Sequence, residues 1–344
     1  MTSKTNLAKK SSPRILKRDR VIKKDRQTLQ IQNVLVSVDF SAPSLSAVEF
    51  ALPLIKQFGA ELHLVHVFAS DYPITALVAL PLVLPEVEIN QSVHQHLKDV
   101  AEKCAIKLRG ENLHALKGRP FEEICRLARD IRIDLIIIAT RGNTGFKHLT
   151  LGSTAERVVR YSPCPVLVMR GGDREKAGRG EFSRGALGFR KILVPIDFSE
   201  CSMKGLLYAQ DFANQFESKL ILLNSVHFQY YVASDEYARY DLPRLTQYAE
   251  KAARKQMRDL VKKTDWGGLQ VETSLQTGHP GQQICDGARG CAADLIITST
   301  HGTTGFKHVL LGSTAEYVVR HAHCPVLVVP SHERPALTST KTQT

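Results

Sequence analysis

The residues best placed to do chemistry occur twice. Residues 140–160 read TRGNTGFKHLTLGSTAERVVR, and residues 300–320 read THGTTGFKHVLLGSTAEYVVR; 16 of the 21 positions match at an offset of 160. In each copy a glycine (Gly142, Gly302) precedes Gly152-Ser153-Thr154 or Gly312-Ser313-Thr314 by nine intervening residues. The segment follows an apolar run and leads into a helical pattern. Glycine permits close backbone approach, and Ser or Thr at a helix start is expected to cap its first amides. Those amides and the helix dipole also form an anion site. Two readings stay open on this physics alone: a phosphate-binding loop, or a glycine turn serving only tight strand-to-helix packing. Near the start of each half, Val38-Asp39-Phe40-Ser41 answers Ile196-Asp197-Phe198-Ser199. A carboxylate there could accept hydrogen bonds from a ribose or base, or could cap the next helix with Ser41 or Ser199. The two roles can coexist.

Positioning these groups requires a sheet. In the first half the apolar runs are Val34–Val38, Leu62–Phe68, Leu113–Lys117, Leu135–Ala139 and Val166–Met169. Helical composition fills about 43–58, 88–109, 121–130 and 153–160. The second half repeats the runs at Ile192–Ile196, Leu220–Val226, Leu269–Leu275, Leu295–Ser299 and Val326–Val329. Continuous apolar strands alternating with helices specify a parallel sheet covered on both faces. The fold class is therefore α/β: two tandem doubly wound domains, each a five-stranded, mainly parallel sheet with helices on both faces. A repeat near 160 residues is a domain duplication, since solenoid units are much shorter. The expected divisions are a basic disordered tail (1–30), a first domain (31–170), a Gly- and charge-rich flexible linker (171–189), a second domain (190–330) and a C-terminal tail (331–344). The short terminal strands Pro165–Met169 and Pro325–Val329 would be apolar edges, so the halves are expected to pair through them with pseudo-twofold symmetry. Residues 70–87 read as an apolar loop over a pocket or at a contact.

Composition narrows the function classes. The chain has 344 residues and a formal net charge of +12. Residues 1–30 hold ten Lys/Arg against Asp19 and Asp25, leaving +4 for everything else. The basicity thus reads as belonging to the tail, either a solvated extension or a weak contact with nucleic acid or another acidic surface. No apolar run is long enough for a membrane span, and no signal-peptide core is present, so a cytoplasmic location is expected. The seven cysteines lack C-x-x-C spacing, which favours reduced, structural thiols over a metal site. No Ser/His/Asp or metal-ligand constellation recurs in both halves. His148 and His308 read as loop or packing residues, and His66 is replaced by Asn224 in the second half. The expectation is a binding protein and not an enzyme.

The doubled combination of VDFS/PIDFS, the late G-x9-G-S segment and the terminal CPVLV strands (at Cys164 and Cys324) resembles the universal stress protein family. The likeness covers about 33–170 and 190–330. It implies an adenine nucleotide alpha-hydrolase-like fold and, in the ATP-binding branch, a pattern G-x2-G-x9-G-S/T. Carried over, its positions are Ala139, Gly142, Gly152 and Ser153, then Ser299, Gly302, Gly312 and Ser313. The first glycine is replaced in both halves; Ala and Ser are small enough for the pocket to survive, or the added Cβ crowds the adenosine or phosphates, and both outcomes stay open. The resemblance further implies adenosine contacts from Asp39 and Asp197, and an adenine contact from Val67, whose counterpart is Ser225. Arg141, Lys147 and Arg157 make the first loop more basic than the second, which offers His301, Lys307 and Tyr317, so tighter ATP binding is expected in the first half. The implied ligand is ATP, with or without Mg2+, and further assembly into a homodimer is open. The alternative is a nucleotide-free stress-response scaffold; slow ATP hydrolysis or self-phosphorylation is compatible with the resemblance but demanded by no residue.

Overall fold

A computed structural model describes residues 29–68, 86–140, 151–169, 188–227, 242–300 and 311–331. The first half contains β1 (Asn33–Ser37), α1 (Ala42–Phe58), β2 (Glu61–Phe68), α2 (Glu86–Lys103), β3 (Leu113–Lys117), α3 (Pro120–Asp130), β4 (Leu135–Ala139), α4 (Ser153–Tyr161) and β5 (Val166–Met169). The second contains β6 (Lys191–Pro195), α5 (Glu200–Phe216), β7 (Lys219–Val226), α6 (Leu242–Lys263), β8 (Val271–Thr277), α7 (Pro280–Gly290), β9 (Leu295–Ser299), α8 (Ser313–His321) and β10 (Val326–Val329). All ten strands form one sheet in the order β3-β2-β1-β4-β5-β10-β9-β6-β7-β8. Within each half every pairing is parallel; between the halves β5 and β10 run antiparallel, with Leu167 opposite Leu327. That antiparallel register places the halves about a pseudo-twofold axis. It also buries two strands that would otherwise be short apolar edges.

Both layers of the core run across this seam. On one face Phe50 meets Phe189 and Phe58 meets Phe212 and Phe216, with ring centroids 5.7–6.2 Å apart. On the other, Glu156 of α4 receives Arg160 at 3.0 Å and Arg320 of α8 at 3.1 Å, while Arg320 also reaches Glu316 at 2.8 Å. Phe189, the last residue of the predicted linker, is a core residue, 1% exposed. The packed second half therefore begins before residue 190.

Two element boundaries differ from expectation. The helix anticipated over 88–109 stops at Lys103, because Ala105 turns left-handed (φ 55°) while its N–H bonds Glu102 O and that of Ile106 bonds Ala101 O. The strand anticipated at Leu269–Leu275 is shifted to Val271–Thr277, since Leu269 closes a turn on Trp266 O. Asp134 and Asp294, conspicuous in the repeated Asp-Leu-Ile-Ile, turn out to be tethers: each carboxylate accepts the N–H at the start of β1 or β6, at 2.9 and 2.8 Å. They sit at the amino ends of the strands.

Candidate nucleotide site

In each half the chain leaves β1 (β6) for β2 (β7) on one side and β4 (β9) for β5 (β10) on the other. The crevice at the carboxyl ends of β1 and β4 is thus a topological switch point, the usual ligand position in open α/β sheets. Two groups meet there: the turn after β1, and the amino end of α4.

The turn after β1 is built around Asp39. Its Oδ1 accepts the N–H of Ser41 at 3.0 Å and also the Ser41 hydroxyl. Ser41 is the N-cap of α1, its Oγ accepting the Ser44 N–H at 3.4 Å. The same device recurs with Asp197, whose Oδ1 accepts Ser199 N–H at 3.0 Å and Oγ–H at 2.6 Å, and with Ser199 capping α5. Between carboxylate and cap lie Phe40 (φ 61°) and Phe198 (φ 64°), both left-handed. A bulky residue there is disfavoured, and duplicated strain of this kind marks a backbone held by its surroundings.

His66 and Asn224 perform one task. His66 Nδ1 lies 2.7 Å from Val38 O, and Asn224 Nδ2 donates to Ile196 O at the same 2.7 Å. A carbonyl only accepts, so Nδ1 of His66 carries the proton. The imidazole also packs, tilted by 33°, against the Phe40 ring at 4.6 Å between centroids. This ring braces the turn, and an amide replaces it without loss of the bond.

The amino end of α4 corrects one expectation. The N-cap is Gly152, with no side-chain capping bond; Ser153 and Thr154 are the first helical residues and not the cap. Gly312 likewise caps α8, ahead of Ser313 and Thr314. The glycines are fixed by bonds from their N–H groups to Thr140 O and Thr300 O, both 2.8 Å. A Cβ on Gly152 would stand 3.0 Å from Thr140 O, a contact tight enough that the backbone would have to give, so the close approach favours glycine. Thr140 and Thr300, buried at the strand ends, are the site-forming residues that sequence reading passed over. Their repetition was the available signal.

Ala139 and Ser299 end β4 and β9 and are 9% and 8% exposed. Val67 lies near the end of β2, half-buried, paired with Leu116; Ser225 instead donates its hydroxyl to Gly278 O at 2.9 Å. Arg141, Gly142 and Gly302, with Lys147, His148, His301, Lys307 and His308, lie outside the described residues. Arg157, expected to add to the basicity of the loop, has its guanidinium 5.0 Å above the Phe121 ring of α3. The second half reverses the sizes, Gly281 facing Tyr317 where the first has Phe121 facing Arg157.

All seven cysteines are free thiols, and burial pushes that of Cys125 up to about 12. Among the described residues no group of three His, Cys, Asp or Glu is arranged to hold a metal, and no helix is long and apolar enough to cross a membrane.

The sequence profile described as the universal stress protein family matches residues 30–170 and again 188–330. The chain belongs to that family. A universal stress protein of Methanocaldococcus jannaschii is 30% identical over 141 residues, covering 41% of this chain and 82% of the relative. One from Mycolicibacterium smegmatis is 25% identical over 306 residues, covering 86% and 96%, so the tandem arrangement is shared along the whole relative. A solved universal stress protein from Archaeoglobus fulgidus superposes with a TM-score of 0.57 at 22% identity, covering 88% of this chain and 97% of that one, a likeness of fold. The tandem universal stress protein architecture is thus established for this chain.

Proposed function

We propose that this universal stress protein is a regulatory binder of adenine nucleotide, with ATP held mainly by the first half. The observation that carries the reading is the amino end of α4: a glycine N-cap without side-chain cap, at the switch point, across from Asp39. Helix amides left uncapped by a side chain are suited to phosphate oxygens. The phosphates would lie on Ser153 and Thr154, with Arg141 and Gly142 completing the loop. The Asp39 carboxylate, already oriented through Oδ1, would receive the ribose or base, and Val67 would pack on the adenine. In the second half Asp197, Ser299, Gly302, Gly312, Ser313 and Thr314 repeat the frame, but Ser225 puts a committed hydroxyl where Val67 offers a methyl surface. That substitution favours weaker binding there. Mg2+, where present, would be brought by the phosphates, as divalent ions on nucleotides keep several waters.

Nucleotide binding here would act as a signal without turnover, a reading that rests on the sequence, where no Ser/His/Asp or metal-ligand constellation recurs in both halves. A nucleotide-free scaffold is the second reading. It is favoured by the packing reason for Gly152 and by Ala139 and Ser299 in place of glycine. Mass spectrometry of the ligand released on denaturing freshly purified protein, with ATP titration alongside, separates the two. Adenine nucleotide near one equivalent is the expected result; absence of ligand together with no titratable binding would leave the scaffold.

A further inference from the structure

Helices α2 and α6 occupy corresponding places, yet their charges are opposite. α2 carries Lys98 and Lys103 against Glu86, Glu88, Asp99 and Glu102. α6 carries seven Lys/Arg against Glu250 and Asp259, a surplus of five. Since residues outside the N-terminal tail total only +4, everything other than the tail and α6 sums to −1. The tail carries +8 and this helix +5, so the positive charge outside the tail is that of one helix.

The cations are ordered along it. At about 100° per residue, Lys251, Lys255, Arg258 and Lys262 fall within a strip about 60° wide. Ala253 and Met257, 7% and 3% exposed, lie on the opposite side, against the sheet. Glu250 is on that inner side, its Oε1 accepting the Thr277 hydroxyl at 2.8 Å. Lys251, Lys255, Arg258 and Lys262 are exposed, and none forms an ion pair among the described residues. A helix rise of about 1.5 Å spaces successive members about 4.5 to 6 Å apart. The strip extends toward Tyr248, 59% exposed, which has Arg244 at 5.9 Å from its ring.

We propose that this outer face of α6 binds the phosphodiester backbone of double-stranded nucleic acid. A rigid row of unpaired cations complements a rigid row of phosphates, and such contacts carry affinity without reading sequence. An anionic membrane fits less well, because the apolar side of α6 is already spent on the sheet and cannot insert. A second copy offers α2, whose net charge of −2 is a poor match for five unopposed cations.

The test uses the full chain and fluorescein-labelled duplexes of DNA and of RNA, with binding measured by anisotropy across a salt series. The variant K251Q/K255Q/R258Q/K262Q keeps good helix formers at exposed positions, and thermal unfolding checks that it folds. Removing four phosphate contacts should weaken binding at least tenfold near 0.1 M salt and flatten the log K–log salt slope by about 3 to 4. Preference between the DNA and RNA duplexes identifies the source of the backbone. An unchanged slope in the variant, with wild-type binding intact, would place the contact elsewhere and overturn the proposal. So would no duplex binding by the wild type, whether accompanied by binding to phosphatidylserine vesicles or by self-association that the variant abolishes.

Discussion

The two halves share a backbone more faithfully than a surface. What is duplicated is the hardware that shapes the crevice: Asp39 and Asp197 holding the caps Ser41 and Ser199, left-handed Phe40 and Phe198, and Gly152 and Gly312 bonded to Thr140 and Thr300. What has diverged is the surface around that frame. Val67 becomes Ser225, Arg157 over Phe121 becomes Tyr317 over Gly281, and acidic α2 becomes basic α6. Duplication therefore preserved a binding frame while freeing each copy to change what it holds. His66 and Asn224 show the limit of reading such changes from sequence. They look unlike, and they make the same 2.7 Å bond.

The largest effect that would sharpen the comparison lies between α7 and α8. A Cβ at Gly281 would meet the Tyr317 ring at 2.7 Å, whereas the first half accommodates Phe121 because its partner is Arg157. Gly281→Phe should destabilise the protein by about 3 kcal/mol through overpacking. Adding Tyr317→Arg should recover most of that in denaturant unfolding; failure to recover would break the equivalence of the two helix pairs. Next in size, Asp39→Ala and Asp197→Ala should each cost about 1 kcal/mol by loosening a helix cap. Only Asp39→Ala should also weaken ATP binding, about tenfold, and equal losses from both would erase the asymmetry.

The smallest effect concerns pH. His63 and His114 face each other at 3.2 Å across β2 and β3, where the second half has Ile221 and Ser274. Burial, followed by the His63 and His94 rings, lowers the His114 pKa to about 4; burial also lowers that of His63 against the pull of Glu61 and Glu111. A depressed histidine stays neutral when folded but takes a proton when unfolded. Stability is therefore full above about pH 6.5 and is lost as pH falls toward 4. About 1 kcal/mol should disappear between pH 7 and 4.5, less than the full shift implies because the ring is partly solvated. His114→Gln should flatten that loss in thermal scans.

The strands were legible from apolar runs because a doubly covered parallel sheet demands them, and the seam between halves was legible because Val166–Met169 and Val326–Val329 are apolar yet terminal. The site was legible only in part. Glycine at 152 was visible, but its role as cap, with Ser153 displaced into the helix, depends on how the loop returns to Thr140 O. The placement of Arg157 over an aromatic ring depends on Phe121 of α3, more than thirty residues earlier. Such contacts are tertiary, and no local pattern announces them. Repetition alone does not mark a site, since Asp134 and Asp294 repeat for structural reasons at the far end of the strands.

The central claim is that the switch-point site of the first half is the working one, and calorimetric titration of ATP into the full chain tests it most directly. Leu at Gly152 would press on Thr140 O and disturb the amides proposed to receive phosphate; Gly312, whose N–H makes the same 2.8 Å bond to Thr300 O, is the matching position in the weaker copy. Hydrogen bonds to a charged group are worth about 1.5–3 kcal/mol each, so Gly152→Leu should weaken the tighter site at least tenfold. Gly312→Leu should leave that site unchanged. Loss of the tighter site in Gly312→Leu, with Gly152→Leu binding as the wild type does, would contradict the account.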